Sequence, residues 1–203
     1  MYKTFLYLIL FLVGCTSTVK QPEPAPIDQV TYQQLTSKYI SCSGKGSLSS
    51  SGTVFGKLSF DFISQNDSSF FKFKDPLGRK ILLMWVTSSQ ISAWNIIDNN
   101  KYSYQEVIEF FPFLNFIHPM DITQFLWGIQ PDIEKNIQKI NSQNPTKLTL
   151  KFEWNDLNGN PSELSSIHFT DTVLNQSVKI NIKERTPNQS KLDLSKIWKL
   201  INT

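Results

Sequence analysis

Few residues in this chain are of types that do chemistry. It holds two histidines, His118 and His168, and two cysteines, Cys15 and Cys42. His118 stands in a Pro-flanked stretch and His168 in a strand pattern. Neither is spaced with Cys, His or carboxylates as metal ligands are. There is no nucleophile elbow, P-loop or dinucleotide fingerprint, and Asp and Glu are scattered. The residues therefore predict no catalytic group, no metal and no cofactor, and the chain is not expected to be an enzyme. Cys15 is the clearest chemical site. It closes Leu12-Val13-Gly14-Cys15 after Lys3 and the apolar run Phe5 to Val13. That run is far shorter than the roughly 20 residues of a spanning helix, and it has the size of a signal-peptide core. The whole has the form of a bacterial lipobox. Residues 1–14 are expected to be a lipoprotein signal peptide, and Cys15 an acylated N-terminus. Each buried acyl CH₂ contributes about 0.8 kcal/mol, so two or three chains anchor a protein without a transmembrane helix. Thr16 and Ser17 follow the cysteine instead of Asp, which resembles sorting to the outer membrane, facing the periplasm. Cys42 then lacks a disulfide partner and is expected to be a small, half-buried strand residue.

Other elements must hold the rest in place. Residues 16–30 are polar and Pro-rich, and read as a tether. At ~3.3 Å per residue they reach roughly 50 Å when extended. The formal charge of +3 comes without a dense basic run, so nucleic acid is not an expected partner. Residues 31–203 fit one domain. In it, Gly52 to Ile63 alternates, with Val54, Leu58, Phe60 and Phe62 on one face. Phe71 and Phe73 alternate with Lys72 and Lys74. Lys80 to Val86 is continuously apolar, as in a strand covered on both faces. Ile91 to Ile97 and Lys101 to Tyr104 read as further strands. The period then changes. Ser103 and Glu106 have capping-box spacing, Asp121 and Gln124 repeat it, and Pro131 suits a first helical turn before Ile133, Ile137 and Ile140. Residues 105–140 thus read as short amphipathic helices inserted between β regions. Strand patterns return at Lys147 to Trp154, with Leu148, Leu150, Phe152 and Trp154 on one face, and at Leu164 to Thr170 and Val178 to Ile182. Asn158-Gly159 is a hairpin signal, and Lys191 to Leu200 fits strand or helix. Fifteen Phe and 13% aromatic residues fit either a well-filled core or a sheet curved around an apolar cavity with a helical lid.

Between Phe73 and Lys80 the sequence Asp75-Pro76-Leu77-Gly78 has the residues of a type I turn, with a leucine at the tip. That turn, Gly44-Lys-Gly46, the Phe-rich strand from Leu58 to Phe62, and His118-Pro-Met-Asp-Ile-Thr-Gln-Phe-Leu-Trp-Gly128 with Pro131 beyond occur in an order and spacing that resembles the LolB family of outer-membrane lipoprotein receptors. The resemblance runs from about Tyr39 to Pro131. It implies an incomplete antiparallel β-barrel with a short α-helical lid over an apolar cavity for acyl chains. It also implies a monomeric receptor that takes acylated lipoprotein cargo from a LolA-like periplasmic carrier. The cavity and lid would draw on Leu58, Phe60, Phe62, Phe71, Phe73, Leu83, Trp85, Phe125, Leu126, Trp127, Leu150 and Phe152. Pro76, Leu77 and Gly78 would form the family's membrane-inserting loop, with Lys72, Lys74, Arg79 and Lys80 facing anionic headgroups. The chain departs from the pattern at Phe60, where many members carry Trp, at Cys42, and over Leu192 to Leu200. Two alternatives stay open: a lipoprotein that binds another lipid or amphiphile, and a structural envelope lipoprotein.

Overall fold

The computed structural model describes residues 30–52, 55–110, 112–133, 148–155 and 163–194. The signal peptide, Cys15, the tether, Val54, Ile137, Ile140, Asn158-Gly159 and the last nine residues lie outside them. The protein is mainly β. One nine-stranded antiparallel open sheet runs in the order β6-β5-β4-β3-β2-β1-β9-β8-β7, as an incomplete barrel requires. The strands are β1 Ser41–Ser51, β2 Gly56–Gln65, β3 Ser68–Lys74, β4 Lys80–Val86, β5 Ile91–Asn95, β6 Asn100–Tyr102, β7 Leu148–Asn155, β8 Glu163–Asp171 and β9 Gln176–Asn188. Three α-helices accompany them, α1 Tyr32–Lys38, α2 Tyr104–Phe110 and α3 Pro119–Leu126, with a 3-10 turn over Pro112–Phe116. None of the described helices is long and apolar enough to cross a membrane.

Register decides which side chains share a face. Phe60 pairs with Phe73 and Phe62 with Phe71 across β2 and β3. Phe71 pairs with Met84 across β3 and β4. These residues, with Leu48, Ile167, Phe169 and Ile182, form the inner face. Phe70, Leu83 and Trp85 form a separate small cluster on the outer face, with Trp94 and Leu194 against it. Both faces of β4 are therefore covered, as its unbroken apolar run predicts.

Gly44 and Gly46 stand opposite Phe62 and Phe60. A Cβ on Gly44 would strike the Glu184 carbonyl of β9 and lie 2.7 Å from the Phe62 ring, and one on Gly46 would strike the Phe60 ring and lie 2.6 Å from the Asn181 carbonyl. The spacing Gly-Lys-Gly thus makes room on one face for two rings from the next strand. Gly46→Val is expected to destabilise the fold by ~3 kcal/mol, the upper end for overpacking, as a lower urea midpoint. An unchanged midpoint would show that the rings have other room.

The helices depart from expectation in three places. α1 arises from a capping box between Thr31 and Gln34, a signal present in the sequence but unused above. α3 starts three residues earlier than the Asp121–Gln124 spacing suggests. His118 is its N-cap, Pro119 its first residue, and Asp121 reaches back to the His118 N–H at 2.8 Å. Two boxes overlap there, and the one that puts Pro in the first turn prevails, because its missing N–H costs nothing at that position. Pro131 to Ile133 is not helical. Cys42 is fully buried, not half-buried.

Candidate functional site

The inner face carries an apolar cavity of about 60 Å³. Phe60, Phe71, Phe73 and Met84 line it from β2 to β4, Leu48 from β1, and Ile167, Phe169 and Ile180 from β8 and β9. Ile122, Phe125 and Leu126 of α3 close it, together with Leu114, Ile117 and Ile133. Among the described residues, every lining side chain is apolar except Asp121. Burial pushes the Asp121 carboxyl above its usual range, against the hydrogen bond from the His118 N–H, which lowers it.

The expected cavity residues divide. Phe60, Phe71, Phe73, Phe125 and Leu126 line the cavity. Phe62 and Phe152 are buried in the same core, with Leu58 and Leu150 packed against it. Leu83 and Trp85 do not belong to it, because they point to the outer face. Alternation within an apolar run leaves parity open, and only the pairing of Phe71 with Met84 selects Met84 as the inward residue. Sequence reasoning missed Leu48, Met84, Leu114, Ile117, Ile167, Phe169 and Ile180. Ile167, Phe169 and Ile180 lay on recognised strands, yet nothing local said that β9 would pair with β1 and bring them round.

Polar anchors hold α3 across one end of the inner face, where β1 begins. Trp127 donates its Nε1–H to Ser64 Oγ at 2.8 Å, and its ring meets Tyr32 edge-on at 5.9 Å. Ser69 Oγ lies 2.9 Å from Thr123 Oγ1. Trp127 is therefore a roof anchor and not a cavity wall. Trp127-Gly128 also ends the helix. Gly128 has φ +85°, its N–H bonds to the Phe125 carbonyl, and the Ile129 N–H to the Gln124 carbonyl. This is a Schellman stop, in which only glycine takes the left-handed position without strain.

Arg185 of β9 is the strongest of these anchors. It is 3% exposed. Its Nε donates to the Leu126 carbonyl at 2.8 Å, and Nη2 to those of Phe125 at 3.2 Å and Leu164 at 2.7 Å. Its Nη1 meets Glu163 Oε2 at 3.1 Å. Burial disfavours its charge, and Glu163 opposes that. The cation sits where the helix presents its last, partly negative carbonyls. The Cys42 thiol also faces the Leu126 carbonyl, at 3.8 Å. Burial pushes it up to about 12, which disfavours the reactive thiolate. His168 lies 2.9 Å from Ser177 Oγ on neighbouring strands. Among the described residues no group of three or more His, Cys, Asp or Glu could hold a metal.

Away from the cavity, Leu77 stands 79% exposed at the tip of the β3–β4 hairpin. The Gly78 N–H bonds to the Asp75 carbonyl, and the Asp75 N–H to that of Arg79. Gly78 has φ +81°. A turn followed by a left-handed residue is the common three-residue hairpin loop. Asp75 Oδ1 accepts from the Leu77 and Arg79 N–H groups, both at 2.9 Å. Partial burial acts to raise the Asp75 carboxyl, but the Arg79 side chain and these two N–H groups hold it below its usual range. The four nearby cations are not all available to headgroups. Lys72 and Lys74 both meet Asp61, and Arg79 meets Asp75.

No family model and no curated protein matches this chain.

Proposed function

We propose that the protein is a LolB-like receptor, anchored in the outer membrane through Cys15 and facing the periplasm. It accepts acylated lipoproteins from a LolA-like soluble carrier and inserts them into that membrane. The observation that carries this reading is the apolar cavity between the sheet and α3. An acyl chain in water costs about 0.8 kcal/mol per CH₂, so transfer needs one apolar shelter after another. At about 60 Å³ the cavity is well below the roughly 300–1,000 Å³ of ligand sites. The roof must therefore move before cargo enters. The roof faces the cavity with Leu114 of the 3-10 turn, Ile117 just after it, and Ile122 and Phe125 of α3, so these are the side chains that opening must displace. The exposed Leu77 supports the release step.

Depletion in the native bacterium tests the reading. Lipoproteins are expected to accumulate short of the outer membrane, and their normal arrival there would end it. A second reading, a module for another amphiphile, draws on Asp121, whose carboxyl borders the cavity and would face a polar or cationic group. Mass spectrometry of lipids co-purified with the protein separates the two by what is bound.

A further inference from the structure

We propose that one whole end of the sheet, and not Leu77 alone, is a docking surface for a lipid bilayer. Antiparallel order puts four hairpin connections at the same end: β1–β2, β3–β4, β5–β6 and β8–β9. Ser50 pairs with both Gly56 and Val178, and Ile96 N–H bonds to the Ile81 carbonyl, which fixes these tips side by side. Each tip carries a large apolar residue in water. They are Phe55 at 86% exposure, Leu77 at 79%, Ile97 at 67%, and Val173 and Leu174 at 59% and 56%. Among the described residues the hairpin tips at the other end, Asn66-Asp67 and Ser88-Ser89, are polar; the β7–β8 connection at that end lies outside them. Three other exposed apolar residues, Val30, Ile40 and Trp154, lie toward that other end, before α1, before β1 and at the end of β7, and form no row of tips. Alternate tips lie two strands apart, so at ~4.8 Å per strand they recur about every 10 Å. Such an even row of projecting single side chains suits a soft apolar phase better than a shaped protein pocket.

The tips share a construction that suits shallow insertion, with the apolar side chains in the lipid and the Asp carboxylates at headgroup level. In three of them an Asp or Asn accepts the N–H of the apolar residue itself. Asp75 Oδ1 takes that of Leu77, Asn95 Oδ1 that of Ile97 at 3.0 Å, and Asp171 Oδ1 those of Val173 and Leu174, both at 2.9 Å. Hydrocarbon offers no partner to a backbone N–H, so internal satisfaction is what insertion demands. Among the described residues, charge at this end is close to balanced. Lys57, Arg79, Lys80 and Lys101 stand near Asp75, Asp98 and Asp171. Attachment therefore depends on the apolar tips and only weakly on anionic lipid or salt.

The placement also serves the interior. α3 is anchored at the opposite end, through Cys42, Ser64, Ser69 and Arg185, so the cavity lies between α3 and the row of tips. Docking would turn that side of the interior toward the bilayer. The chain enters the domain at the α3 end, where the Tyr32 hydroxyl bonds to the Asn66 carbonyl. The 11 residues of β1 span about 36 Å at ~3.3 Å each. The tether beyond Cys15 reaches roughly 50 Å, enough for the tips to meet the membrane that holds the anchor.

Single cysteines at Phe55, Leu77, Ile97 and Leu174 test the proposal in the full lipidated chain, where Cys15 is acylated and Cys42 is buried. Each variant is labelled with an environment-sensitive fluorophore and mixed with phosphatidylcholine vesicles carrying brominated acyl chains. A label at Ser89 reports the opposite end. Quenching several-fold above Ser89 at three or more tips, little changed by added phosphatidylglycerol or by salt, is the expected result. Such quenching at two tips or fewer overturns the proposal, as does dependence on the anionic lipid. Quenching at Leu77 alone would overturn it while leaving the proposed receptor function standing, so the two fail separately.

Discussion

Leu77→Glu is expected to leave the fold intact and, on the proposed receptor function, to block release of cargo into membranes. An exposed substitution at a tip changes stability by no more than about 0.5 kcal/mol, and Leu77 is 79% exposed. Its hairpin is held by Asp75, Gly78 and Arg79, none of which needs the leucine side chain. In the bilayer the difference is large. A leucine enters with a small gain, whereas an acidic side chain costs roughly 3 kcal/mol at depth. Since 1.4 kcal/mol is tenfold, release into vesicles should fall on the order of 100-fold. Uptake of lipoprotein from the carrier should be unchanged, because Leu77 does not line the cavity. The measurement is transfer from carrier to receptor and from receptor to liposomes, scored separately. Normal release into liposomes would remove the membrane role of the tip. Unfolding would show Leu77 to be a packing residue, against its exposure.

The second large effect is expected at Arg185. Arg185→Ala removes the donors to three buried carbonyls and strands Glu163 without its cation. Breaking a buried pair in this way costs about 3–5 kcal/mol. The loss should appear as a lower urea midpoint, with greater uptake of an apolar dye as α3 comes away from the sheet. Arg185→Lys should recover little, because a single ammonium cannot reproduce a planar fork that serves four acceptors. If Arg185→Ala unfolds at the wild-type midpoint, α3 is held by its apolar face instead, and the roof is not anchored where we place it.

Local patterns went far toward the fold and less far toward the site. Alternation in β2 placed Leu58, Phe60 and Phe62 on one face, because a strand turns its side chains with period two. The same rule is silent for Lys80 to Val86, where both faces are apolar. Leu83 and Trp85 were therefore expected inside and lie outside. Capping chemistry located α2 and α3 within a few residues, yet the Asp121–Gln124 box put the start of α3 three residues too late. Arg185 carried no local sign of its role. Its partners Phe125 and Leu126 lie about sixty residues away and meet it only after β9 has paired with β1.

Residue order alone sets the composition of the elements: alternating aromatic strands, capped helices, glycines at 44 and 46, and a Pro-Leu-Gly turn with an aliphatic tip. These follow from rules that act over a few residues, such as side-chain periodicity, capping and allowed φ. Folding in three dimensions settles which face of β4 looks inward, which residue clamps the roof, how small the cavity is, and that four apolar tips stand in one row. Those features depend on strand register and order. They join residues far apart in the chain, and no local preference can encode where distant partners will meet.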